Sequence, residues 1–150
     1  MPIVLQKVII NCKMKNKILL KNVKFWIDRN VIHCDFSSKF DKKLHKAEIE
    51  NLFITIISAF SNGKYKPLLI DLTGLDSKKA IDLYKLLSSS TKIDSYALSE
   101  SFIVKSFKVK LFLELYKLIS TKILPNNIST NLTGALQYSN KKYIEFNAYK

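Results

Sequence analysis

The chain has 150 residues, of which 47% are hydrophobic and 11% aromatic, with only 3 glycines and 3 prolines. That is about one domain's worth of chain with enough apolar material for a core, and it excludes collagen-like, Pro/Gly-rich and fully disordered classes. The formal charge of +13 raises polyanions as partners, but Arg29 is the lone arginine among 25 basic residues and the lysines are dispersed from Lys7 to Lys150, so a solvating basic surface is expected and nucleic acid is not the expected partner.

Residues 3–10 are rich in β-branched side chains and fit an extra edge strand or arm within residues 1–17, without the positive leader or cleavage site of a signal peptide. Lys13, Lys15 and Lys17 alternate there, as lysines do where they blunt an exposed strand edge. The runs 19–27 and 31–36 alternate with period two (Val23, Phe25, Ile27; then Ile32, Cys34, Phe36) on either side of Asp28-Arg29-Asn30, which predicts an antiparallel hairpin with one buried face. Asp41 is the predicted N-cap of a long helix with the stripe Ile49, Leu52, Phe53, Ile56, Ile57 and Phe60, stopped at Asn62-Gly63. Residues 67–72 are a short apolar run opened by Pro67, the pattern of a strand covered on both faces.

Ser77 is the predicted cap of a second helix over 78–88, with Ala80, Ile81, Tyr84 and Leu87 inward, and residues 93–98 read as another strand. Ser99 or Ser101 then caps a third helix reaching Ile123. On it Ser106, Lys110, Glu114, Lys117 and Thr121 form one polar stripe, and the apolar remainder predicts a wide dry face buried against the sheet and something more. Pro125 stops that helix, 126–133 reads as a loop, 134–138 as a last strand, and Ser139 or Asn140 as the cap of a short helix to Ala148. A hairpin followed by alternating helices and strands is an α/β pattern: one domain over 1–150, with a mixed, largely parallel sheet of roughly four to six strands and helices packed on it. No run approaches ~18 consecutive apolar residues, so no transmembrane segment is expected. Cys12 and Cys34 are too few for a disulfide framework and too isolated for a structural zinc site, which suits a reducing, cytoplasmic setting.

The stretch Asp71-Leu72-Thr73-Gly74-Leu75-Asp76-Ser77, after Leu68-Leu69-Ile70, resembles the segment of STAS domains in which a hydrophobic strand runs through an aspartate to an Asp-Ser pair opening a helix. STAS domains are the fold of bacterial anti-sigma-factor antagonists. From Phe25-Trp26-Ile27-Asp28 through Gly63-Lys64-Tyr65-Lys66-Pro67, and again at Tyr138-Ser139-Asn140-Lys141-Lys142-Tyr143-Ile144-Glu145-Phe146, the chain is similar to a STAS-like family of unknown function. The resemblance spans residues 18–148, and Ile81 departs from the arginine expected there in the STAS-like family. It implies a regulatory or protein-interaction module without catalytic residues. Ser77 would be its phospho-switch, with Asp71, Thr73, Gly74, Asp76, Lys78 and Lys79 in the partner-binding loop. A phosphate adds about −1.5 to −2 charges, which a helix N-terminus receives favourably; the plainer role of Ser77 is a cap.

The remaining candidates are weighed by their surroundings. Asp71 ends a buried strand, where it is expected to hydrogen-bond the following loop. His33 and His45 have no evident metal partners, and Cys34 reads as a core thiol with His33 on the opposite strand face. No metal and no cofactor are expected. Phe107, Leu111, Phe112, Leu115 and Tyr116 exceed what one face of a small sheet needs and read as a homodimer patch. The alternative is an apolar small-molecule or lipid pocket, as a resemblance to CRAL-TRIO lipid-transfer folds would imply, and weak polyanion binding is the third reading.

Overall fold

The computed structural model describes residues 17–40, 45–120 and 124–148. The arm expected over 1–17, Lys17 apart, and the expected cap Asp41 lie outside these described residues. The chain runs β1 (Lys17–Leu20), β2 (Val23–Asp28), β3 (Val31–Phe36), α1 (Lys46–Ser61), β4 (Leu68–Asp71), α2 (Ser77–Ser88), the single turn α3 (Thr91–Asp94), β5 (Glu100–Ile103), α4 (Phe107–Ile119), β6 (Asn126–Ser129) and α5 (Leu132–Ala148). It is an α/β fold built on one six-stranded sheet whose spatial order is the sequence order, β1 to β6. The first three strands are antiparallel and the last four parallel, in register Ile32 with Leu68, Leu68 with Glu100 and Glu100 with Asn126.

The expected hairpin is a three-stranded meander. The run 19–27 is broken at Lys21 and Asn22, both with positive φ (50° and 64°), and the second turn uses Arg29 and Asn30, also at positive φ. Two-residue hairpin loops need that backbone, and asparagine tolerates it better than most side chains. α1 begins after His45 without a side-chain cap and ends at Asn62 in the left-handed conformation followed by Gly63, the expected stop.

Strand alternation then divides the molecule into two layers. Ile32, Cys34 and Phe36 of β3, Leu68 and Ile70 of β4, Phe102 of β5 and Ile128 of β6 meet the inward residues of α1, α2 and α4 in one core. Val31, Leu69 and Ile103 point the other way and are covered by Ala135 and Leu136 of α5. The aromatic centre of the main core is Phe53, set edge-on to Phe25 at 5.4 Å and stacked on Phe36 at 6.2 Å.

Four boundaries depart from the sequence-based expectation. Residues 91–94 form a helical turn capped by Ser90, whose Oγ accepts from the Ile93 amide, and the strand lies further on, at Glu100–Ile103. Phe102 and Ile103 therefore belong to a strand, and the third helix starts only after Ser106, whose Oγ accepts from the Val109 amide. The segment Asn126–Ser129, polar but for Ile128, is a strand because β5 offers it a ladder, a tertiary pairing that outweighs the poor strand preference of asparagine. Gly134 and Tyr138 lie inside α5, which starts where the Asn131 carboxamide accepts from the Gly134 amide at 2.7 Å; Ser139 and Asn140 are interior to that helix.

Candidate functional site

Three places bring together side chains able to interact with a partner or ligand. The first is the loop leaving β4. Asp71 Oδ1 accepts from both the amide and the hydroxyl of Thr73, at 2.8 and 2.6 Å, which turns the chain sharply after the strand. A Cβ on Gly74 would stand 2.5 Å from the carbonyl oxygen of Phe36, so only glycine lets the loop press against the end of β3. Asp76, not Ser77, caps α2: its Oδ1 accepts from the Lys79 amide at 2.9 Å. Ser77 is thereby the first helical residue, exposed together with Asp76 and Lys78, while Lys79 is half-buried.

The second place is the part of the sheet beside α5, and here the structure pairs residues that the sequence keeps far apart. Asp35 and Asp71 are register partners on β3 and β4 and their side chains share one face. Burial first, and then the Asp71 carboxylate, push the Asp35 carboxyl above its usual range, against the pull of Lys24. Two residues back on the same face, His33 is buried and stacks on Trp26 at 4.8 Å, with its pKa lowered by desolvation despite Asp28. Lys24 lies over the other partner of that stack, 5.2 Å from the Trp26 ring. Cys34 points into the opposite core, where burial above all raises its thiol pKa. Period-two alternation separated Cys34 from His33 in the sequence; nothing in it announced that Asp35 would meet Asp71. Among the described residues no three His, Cys, Asp or Glu side chains gather as a metal ion would require.

The third place is α4. Successive helix residues are rotated by about 100°, so Val109, Leu113 and Tyr116 share one side of the helix. Val109 and Leu113 are buried and Tyr116 is half-buried, its ring 6.2 Å from Tyr84, which in turn meets Phe102 at 4.7 Å. That packing fills the space between helix and sheet. The opposite arc carries Phe107, Leu111, Phe112, Leu115, Leu118 and Ile119, all exposed, and Leu118 and Ile119 are each 81% exposed. The predicted dry face is thus turned outward, while of the predicted polar stripe Ser106, Lys110, Glu114 and Lys117 are half-buried, flanking the inward side, with Lys117 Nζ donating to the Asn126 carbonyl at 2.6 Å; Thr121 lies outside the described residues. The reason is position. α4 covers the edge strand β6 with α2 on one flank, so only a narrow strip of it finds protein to pack against. Lys85 of α2 reaches over the rim of the apolar arc, 5.5 Å from the Phe112 ring and 5.1 Å from Tyr116.

Beyond the C-terminal end of α4, Ser88, Thr91, Ser95, Tyr116, Leu124 and Pro125 line an open groove of about 710 Å³. Beside it Tyr84 donates to Asn126 Oδ1 at 3.1 Å, and burial, followed by the Glu100 and Glu114 carboxylates, raises its phenol pKa. Of the predicted patch residues, Tyr116 touches this groove, whereas Phe107, Leu111, Phe112 and Leu115 stand outside it on the helix surface.

Comparison with known protein families and with curated proteins gives no match to this chain. No helix among the described residues is long and apolar enough to cross a membrane. The functional reading therefore rests on the surface of the fold and on the short sequence motifs.

Proposed function

We propose that this protein is a non-enzymatic, STAS-like interaction module whose working surface is the outer arc of α4. The observation that carries the reading is the group of six apolar side chains, Phe107, Leu111, Phe112, Leu115, Leu118 and Ile119, in water on one side of a helix whose inner side is already packed. Contiguous apolar surface of this kind, rimmed by polar groups, marks an interaction site in folded domains. The second part of the proposal is a switch at the Asp76/Ser77 corner. Ser77 is exposed on the first turn of α2. A phosphate there would sit at the N-terminal end of α2, beside Lys78 and Lys79.

The test compares the wild type with Leu111→Ser/Leu118→Ser, immobilised in parallel against a whole-cell extract that retains its membranes, together with sedimentation velocity across protein concentration. The wild type is expected to retain material or to self-associate, and the double variant to do neither at unchanged Tm. Identical behaviour of the two proteins would end the reading. Ser77→Asp is expected to alter the association that Ser77→Ala leaves intact, and equal association by both would remove the switch.

A further inference from the structure

The partner of the α4 arc can be narrowed by charge. Within α2, α4 and the caps that begin them, six lysines (Lys78, Lys79, Lys85, Lys108, Lys110 and Lys117) stand against three acids, Asp76, Asp82 and Glu114, and Lys105 adds a seventh just before the cap of α4. Lys105 and Lys108 are exposed, Lys108 within the apolar arc itself, and Lys85 leans over Phe112 at its edge. Lysine side chains can lay their methylenes along apolar surface and lift the ammonium to its boundary. The arc runs along a helix of 13 residues, and of its six apolar side chains Ile119 alone lines the open groove beyond α4. An arc of Phe, Leu and Ile rimmed by lysines has the chemistry of helices that lie in a bilayer interface, where apolar burial and attraction to anionic headgroups act together. The absence of arginine from this surface removes the bidentate fork that specific phosphate recognition uses, and leaves the diffuse attraction that an anionic lipid surface needs. A second copy would bring another chain of formal charge +13 to the same basic rim.

We infer that α4 is a membrane-docking helix: its outer arc inserts shallowly into the surface of an anionic bilayer, with Lys85, Lys105 and Lys108 at the headgroup level. This rests on the reading of the arc as the working surface and names what covers it.

The experiment is co-sedimentation of the full chain with vesicles of phosphatidylcholine alone and with phosphatidylserine added, alongside sedimentation velocity of the free protein. Binding is expected only with phosphatidylserine present, and it should fall by an order of magnitude or more as salt rises from about 0.05 to about 0.5 M, where the screening length drops below the reach of the lysines. Leu111→Ser/Leu118→Ser should abolish it. Lys105→Gln/Lys108→Gln should weaken it by roughly tenfold or more, each lysine near the surface being worth about fivefold. Both variants alter exposed side chains, so an unchanged Tm shows that the fold is kept. Vesicle binding unaffected by the serine substitutions would overturn the inference, because charge alone would then explain it. No vesicle binding together with a dimer that the serine substitutions dissolve would overturn it while leaving the interaction reading in place. No vesicle binding and no association of any kind would remove both.

Discussion

α1 and α4 are two helices of similar apolar content that meet opposite fates. α1 buries Ile49, Leu52, Phe53, Ile56, Ile57 and Phe60, because β2, β3 and β4 lie beneath it. α4, over the edge strand, buries only Val109 and Leu113 and holds six large apolar side chains in water. The same residue types therefore stabilise the fold in one helix and stay exposed in the other. Hydrophobic character says that a side chain gains by leaving water; the number of neighbouring elements says whether the chain itself supplies the place.

The contrast is sharpest in stability. Phe53→Ala removes the ring that holds Phe25 and Phe36 together, and is expected to cost about 3–5 kcal/mol in denaturant unfolding. Next comes Leu113→Ala, the fully buried leucine of α4, expected to cost about 2–5 kcal/mol; a loss below about 1 kcal/mol would mean that even the inner side of this helix is loosely packed. Asp76→Ala removes the acceptor of the Lys79 amide and should lower stability by about 1 kcal/mol, leaving the α4 surface untouched. His33, under neither helix, answers to pH. Its folded-state pKa lies below the ordinary 6.5, so the unfolded chain binds the proton first, and the His33 contribution is lost as pH falls below that value. His33→Phe, which keeps a ring against Trp26, should flatten this part of the pH–stability profile in thermal melts. The smallest effect belongs to Leu111→Ser on the outer arc, expected within about 0.5 kcal/mol of wild type. A large loss there would show that the arc is packed against something and would erase the contrast between the two helices.

Asp35 answers to pH in the opposite direction. Its carboxyl is raised by burial and by Asp71, so the unfolded chain releases the proton first and stability declines as pH rises through the window above the ordinary aspartate value. Asp35→Asn is expected to raise the melting temperature at neutral pH and leave it unchanged in acid.

Much of the architecture was legible in the residues because it is local. Period-two alternation in Val23–Asp28 and Val31–Phe36, the stripe of α1 with its Asn62-Gly63 stop, and the Pro67-led strand each follow from contacts within a few residues. The α/β class followed with them, although the strands expected at 93–98 and 134–138 stand instead at Glu100–Ile103 and Asn126–Ser129. Three things needed the assembled sheet. Asn126–Ser129 becomes a strand only because β5 presents an unpaired edge. Asp35 and Asp71 become neighbours only through a parallel register between segments joined by a whole helix. The apolar arc of α4 points outward only because the sheet ends at β6. Side-chain periodicity tells which residues share a face, but what lies opposite that face is a matter of long-range packing, which the tertiary structure alone decided.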